Sequence, residues 1–303
     1  MRPIRGIVYK LVSVVLFITM AGLIKSNADT IPPGQTVFFR STLAMPVILV
    51  WLAWRRELHI GLKTARPLAH FWRGLLGTTS MGLGFAGLAY LPLPEVTALG
   101  YAAPLLVVIL AAIFLGEEVR AFRLTAVAVG LVGVLIVLGP RLSIGTDFSH
   151  LQALGAMLVL FSAFLSAMSQ ITVRKLVATE TTSAIVFWFF ITASGLSLLT
   201  LPFGWVMPNA QQAMLMVLIG LLGGLGQIFV TSSYREADAS LIAPFDYASI
   251  LLALAIGYWG FGEVPTISML TGAVVVIAAG ILIIWRERQL GIERAKQRKA
   301  MTP

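Results

Sequence analysis

The 303-residue sequence contains no cysteine and only three histidines. Disulfides, iron–sulfur clusters and thiolate zinc sites are thereby excluded. His59, His70 and His150 lie among charged neighbours, and no two have the spacing of a metal pair on one helix, so no metal centre is expected. Charge is scarce as well: 12% of residues are Asp, Glu, Lys or Arg, against about a quarter in soluble domains. With 58% apolar residues and a mean hydropathy of +0.91, too little polar surface is available to face water, which rules out a soluble enzyme. A Gly-Lys-Ser/Thr phosphate loop is also missing, so ATP hydrolysis within the chain is unsupported and no cofactor is expected.

What the sequence does have is a series of long uncharged intervals. A helix crossing a bilayer needs about 20 mostly apolar residues. Uncharged runs of 21 residues lie between Arg73 and Glu95 and between Glu95 and Glu117, with 17 between Arg123 and Arg141 and 22 between Glu263 and Arg286. A run of 26 follows Asp147, and one of 54 follows Glu180. The longest is interrupted by Pro202, Pro208 and the polar run around Asn209, so it reads as two helices joined by a turn. Segments near 7–24, 36–54 and 240–261 complete ten spans, with Arg40 inside the second and Asp246 inside the ninth. Arg2 and Arg5 before the first span imitate a secretory signal, but Lys25 precedes the small residues Ser26-Asn27-Ala28, so the span is expected to be retained.

Placing the basic residues on ten spans with the N-terminus inside puts 19 of the 22 on one face, leaves Lys25 and Arg141 on the other, and buries Arg40. By the positive-inside rule both termini are cytoplasmic in an inner membrane. The net charge of +9 is then a sidedness label and not a nucleic-acid footprint, although the basic tail 289–303 suits anionic lipid.

Shifting the sequence against itself by 146 residues aligns Gly74-Leu75-Leu76-Gly77 with Gly220-Leu221-Leu222-Gly223, Tyr101-Ala102 with Tyr247-Ala248, and Gly116-Glu117 with Gly262-Glu263. The chain therefore divides into 1–145 and 146–288, each with five spans. Five is odd, so the second half crosses in the opposite sense. Inverted repeats of this kind mark transporters that alternate access around a midplane site.

The run from Leu93-Pro94-Glu95 through Tyr101 to Phe114-Leu115-Gly116-Glu117, and its second copy from Ala243-Pro244-Phe245-Asp246-Tyr247 to Phe261-Gly262-Glu263, resemble the EamA repeat of the drug/metabolite transporter superfamily. The resemblance covers essentially the whole chain. It implies a ten-helix secondary carrier for a small organic metabolite, with spans three, four, eight and nine lining the path. It also implies a family of amino-acid and drug exporters and metabolite importers, whose riboflavin branch supplies the first substrate expectation. Export of amino acids or drug-like amines is the alternative. A monomer or weak homodimer in contact with lipid is expected.

Charges inside hydrocarbon need partners or water. Depth along the helices allows Arg40 and Glu95 to pair as an outer clamp, and disfavours a bridge from Arg40 to Asp246. Lys10 is expected to snorkel to the interface. Asp246 follows Pro244 in a pathway helix and is the candidate for proton coupling or substrate contact. Tyr101 and Tyr247, at equivalent repeat positions, are candidates to sandwich a planar heterocycle, and Gln227 to read a ligand edge. A membrane enzyme or sensor is the rival class, but it would gather acidic or histidine residues at one face, and here they are scattered.

Overall fold

The computed structural model describes residues 3–116, 121–142, 147–177, 179–237 and 239–301. Glu117 of the first Gly-Glu motif lies outside them. The described residues are almost entirely helical: α1 (Pro3–Asn27), α2 (Pro33–Trp54), α3 (Leu58–Gly61), α4 (Pro67–Tyr90), α5 (Leu93–Gly100), α6 (Ala102–Leu115), α7 (Ala121–Leu142), α8 (Asp147–Val177), α9 (Thr182–Leu198), α10 (Ala210–Glu236), α11 (Ala239–Ile242), α12 (Ala248–Phe261) and α13 (Ile267–Met301). A 3-10 turn over Ala243–Tyr247 joins α11 to α12.

Local chemistry sets the helix ends. Pro33 and Pro67 open α2 and α4 at a position where the missing N–H costs no hydrogen bond. Asn209 and Gln212 form a reciprocal capping box on α10, and the Thr181 hydroxyl accepts from the Ala184 N–H at the start of α9. Gly116 (φ +64°) ends α6 and Gly262 (φ +67°) ends α12, both left-handed and 146 residues apart. Only glycine adopts this conformation without penalty. Proline interrupts the two helices just before these segments. Pro104 cannot donate to the Gly100 carbonyl, and Pro244 cannot donate to that of residue 240, so α5 and α6 part at Tyr101 and α11 and α12 part across the 3-10 turn.

Seven stretches are long and apolar enough to cross a membrane: Ile4–Asn27, Pro33–Trp54, Leu93–Leu115, Ala121–Arg141, His150–Val177, Ala210–Ser233 and Ile267–Arg286. The other three expected spans fall short for separate reasons. The first 14 residues of α4 carry His70, Arg73, Thr78 and Ser80; α9 has 17 residues; α12 has 14, about 21 Å at the standard rise. Large apolar side chains such as Ile113, Phe161, Trp259 and Val274 cover the outside, as a lipid-facing surface requires. The chain is thus a multi-pass membrane protein.

The helices pair closely: α4 with α8, α1 with α10, α7 with α13, α2 and α4 each with α9, and α2 with α10. Glycine permits the tightest of these contacts. A Cβ on Gly272 would meet the Gly133 carbonyl at 2.6 Å, and one on Gly133 would meet the Gly272 carbonyl at 2.9 Å, so α7 and α13 touch backbone to backbone. The largest buried cluster, which includes Leu99, Leu105, Val134, Val159 and Val276, surrounds Tyr101 and Tyr247.

Candidate functional site

The broken helices meet at their breaks. The Tyr101 and Tyr247 rings pack edge to face with centroids 5.0 Å apart. The Tyr101 hydroxyl lies 2.5 Å from Ser249 Oγ, whose own hydroxyl donates to the Asp246 carbonyl at 2.7 Å. Tyr247 is accommodated by Gly280 of α13, where any side chain would collide with the tyrosine hydroxyl. Because the rings occupy the space between themselves, no slot for a planar heterocycle exists between them. The expected sandwich is therefore corrected to a ring-on-ring contact.

This contact forms one wall of a cavity of about 570 Å³, bounded by α1, α5, α6, α8, the 3-10 turn, α12 and α13. Two of the four spans expected to line the path, the α5–α6 and α11–α12 pairs, do so; α4 and α10 do not reach this cavity. Most of its wall is aliphatic. Its polar groups are Asp246, Ser249, Thr97, Gln170, Arg174 and the two tyrosines.

Asp246 accepts an ion pair from Lys10 Nζ at 2.8 Å. Lys10 does not snorkel: its side chain is 3% exposed, whereas that of Asp246 is 50% exposed toward the cavity. A buried ammonium needs anionic partners, and the carboxylate on the neighbouring turn supplies one. The bridge from Arg40 to Asp246 that depth disfavoured does not form.

At the opposite ends of these helices the path is closed by ions. Lys25 pairs with Glu263 at 3.0 Å and donates to the Leu88 and Leu91 carbonyls at 3.0 and 2.6 Å. The Leu93 N–H donates to Glu263 at 2.9 Å. Beside them Arg141 grips Glu95 through two nitrogens, with Nε at 2.9 Å, and donates to Gln152 at 2.6 Å. The expected Arg40–Glu95 clamp is thus corrected: Glu95 is 4% exposed and already held by α7. Arg40 lies elsewhere, buried among α2, α9 and α10, with its guanidinium over the Phe190 ring at 5.2 Å. Gln227 borders a gap of about 10 Å³ between α2, α9 and α10, away from the main cavity.

Sequence reasoning picked out four of the residues grouped here, Asp246, Tyr101, Tyr247 and Glu95, and missed their partners. Lys25, Arg141 and Glu263 were read as boundary charges, although the two outside basic residues and the repeated Gly-Glu motif were the available signals. On the other side, Glu180 between α8 and α9 accepts from the Thr64 hydroxyl and the Ala65 and Arg66 N–H groups at 2.9, 2.9 and 3.1 Å. Burial alone would raise its pKa, but these donors and the nearby His70 hold the carboxyl below its ordinary value.

A family model described as the EamA-like transporter family matches residues 4–139 and 153–285. The chain is 29% identical over 255 residues to an S-adenosylmethionine uptake transporter of Rickettsia felis, covering 84% of each. It is 27% identical over 283 residues to a pseudopaline exporter of Pseudomonas aeruginosa, covering 92% of this chain and 95% of the exporter. It is also 27% identical over 298 residues to a riboflavin transporter of Vibrio cholerae, covering 97% of each. One solved structure superposes with a TM-score of 0.68 at 20% identity, covering 94% of this chain and 97% of its own, which shows a shared fold.

Proposed function

From the premise that this chain belongs to the EamA-like transporter family, and is a transporter of that kind, we propose that it is a ten-span secondary carrier of the inner membrane. In this reading both termini are cytoplasmic, its halves 1–145 and 146–288 are inverted repeats, and it is not an enzyme. Helix pairing supports the repeats: adding 146 to α4 and subtracting it from α8 gives α10 and α1, and both pairs pack. The same exchange carries the α4–α9 contact onto α10–α2 and leaves α7–α13 and α2–α9 as self-paired contacts.

The described arrangement corresponds to one access state. Lys25–Glu263 and Arg141–Glu95 close the outer face, while the cavity reaches toward the helix ends that carry Arg174 and Asp246. Transport then consists of breaking the outer ion pairs as the inner ends close. A gradient or an exchanged solute drives the cycle.

The substrate reading rests on one observation: the cavity wall presents the Asp246 carboxylate half open to the lumen, with Lys10 buried behind it. A metabolite that carries a cationic group can meet this carboxylate with its own charge; a neutral ring system cannot. This favours a substrate of the S-adenosylmethionine type over riboflavin. Riboflavin remains the second reading, supported by the relative that is matched over 97% of its length. Proteoliposomes containing the purified chain should take up labelled S-adenosylmethionine above empty liposomes. Flux of riboflavin alone would reverse the order of the two readings, and flux of neither would sink both.

A further inference from the structure

Arg40 on α2 and Arg73 on α4 form a second polar feature that the ion pairs above leave unused. The two guanidinium groups converge on consecutive rings of α9. Arg40 Cζ lies 5.2 Å from the Phe190 centroid and Arg73 Cζ 3.7 Å from that of Phe189, with the rings 5.5 Å apart. Their charges are close enough to repel one another. The Nε and Nη1 atoms of both are buried, and none has a hydrogen-bond partner among the described residues. Arg40 is 5% exposed.

Two guanidinium groups on adjacent rings, each with two buried and unused donors, are unfavourable unless an anion or water reaches them. The aromatic faces supply partial compensation only. Space for an anion adjoins Arg73, which lines a cavity of about 260 Å³ together with Ser80, Ser166, Ser169 and Gln170. Gln170 also borders the main cavity, so the two are neighbours. Repeat-equivalent glycines keep the arginines in place. A Cβ on Gly223 would press on Arg40 Nε at 3.1 Å, and one on Gly77 would press at 2.8 Å on the Phe189 ring beneath Arg73.

We propose that Arg73, with the Arg40 charge behind it, binds a compact carboxylate-type anion in this cavity through its unused guanidinium donors. The natural source is a carboxylate carried by the transported metabolite, which in part rests on the substrate reading above; a free small anion has the same chemistry. The site itself needs no transport to be detected.

The test is thermal unfolding of the purified full-length protein at constant ionic strength, with sodium acetate, chloride or phosphate compared against sodium HEPES, whose anion is too bulky for the cavity. Acetate is expected to raise the wild-type melting temperature by roughly 2–4 °C near saturation and to exceed chloride. Arg73→Gln should abolish the rise and Arg40→Gln should reduce it. In HEPES alone Arg40→Met should melt no lower than wild type, because it removes an uncompensated charge, whereas a purely structural arginine would leave a less stable variant. A rise of equal size in wild type and both glutamine variants, or no rise with any anion, overturns the proposal. In liposomes, competition of acetate with labelled S-adenosylmethionine assigns the site to the substrate carboxylate, and an acetate rise without competition assigns it to a free anion. Absence of S-adenosylmethionine flux with the acetate rise intact sinks the substrate reading alone.

Discussion

Asp246 and Lys10 are bonded to each other but differ in exposure, so their substitutions differ in cost. Asp246→Asn removes a carboxylate from a buried ammonium and should lower stability, by less than the about 3–5 kcal/mol that breaking a fully buried pair costs, because the carboxylate is half exposed. The double variant Lys10→Met/Asp246→Asn should recover most of that loss in thermal unfolding. If the pair couples protons, flux through the double variant loses its pH dependence; an unchanged profile removes that role. Gly280 gives a sharper local prediction. A methyl group there collides with the Tyr247 hydroxyl, so Gly280→Ala should destabilise by about 1–3 kcal/mol, with Tyr247→Phe in the same chain relieving part of it. At this scale the sequence revealed single residues by their rarity in apolar context: Asp246, Arg40 and Glu95 stood out because charges in spans are few. It could not reveal partners, because Lys10 meets Asp246 and Arg141 meets Glu95 only through helix packing.

Among elements, the broken helices carry the site, and Pro244 beside Asp246 was the part of it that the sequence marked. The lengths of the pieces were not legible, because α12 is continued by a 3-10 turn and not by a longer α-helix. The family resemblance placed α4 and α10 at the path, but which helix each faces depends on packing, and they face α8, α9, α1 and α2 instead of the main cavity. The loop before α4 is pinned by Glu180. A carboxyl held below its ordinary pKa stabilises the folded state fully above its unfolded pKa, and that contribution is lost as pH falls through the lower folded value. Glu180→Gln should therefore melt lower than wild type near neutral pH, and the difference should shrink as the pH falls through the carboxylate range. A constant difference would assign Glu180 a role independent of its charge.

For the whole molecule, the proposed orientation predicts that Val264→Cys, on an exposed position, is labelled by an impermeant thiol reagent from outside intact cells, and that Lys63→Cys is labelled only after lysis. The reverse pattern would overturn the topology. Breaking the outer closure should bias access: Glu263→Gln is expected to raise external labelling of a cavity cysteine such as Thr97→Cys, measured as rate. Low charge, long apolar runs and the 146-residue repeat made the all-helical membrane class and the family legible without coordinates. Ion pairs that close one end were not legible, since closure depends on which residues share a depth in three dimensions.

The contact between Tyr101 and Tyr247 has a mechanical meaning. Positions related by a two-fold exchange of halves touch one another only if they sit on its axis. On the proposed inverted-repeat relation, therefore, exchanging the halves maps the tyrosine pair onto itself. If the second access state is this arrangement with the roles of the halves exchanged, the same two rings form a wall of the cavity in both, whichever face it opens to.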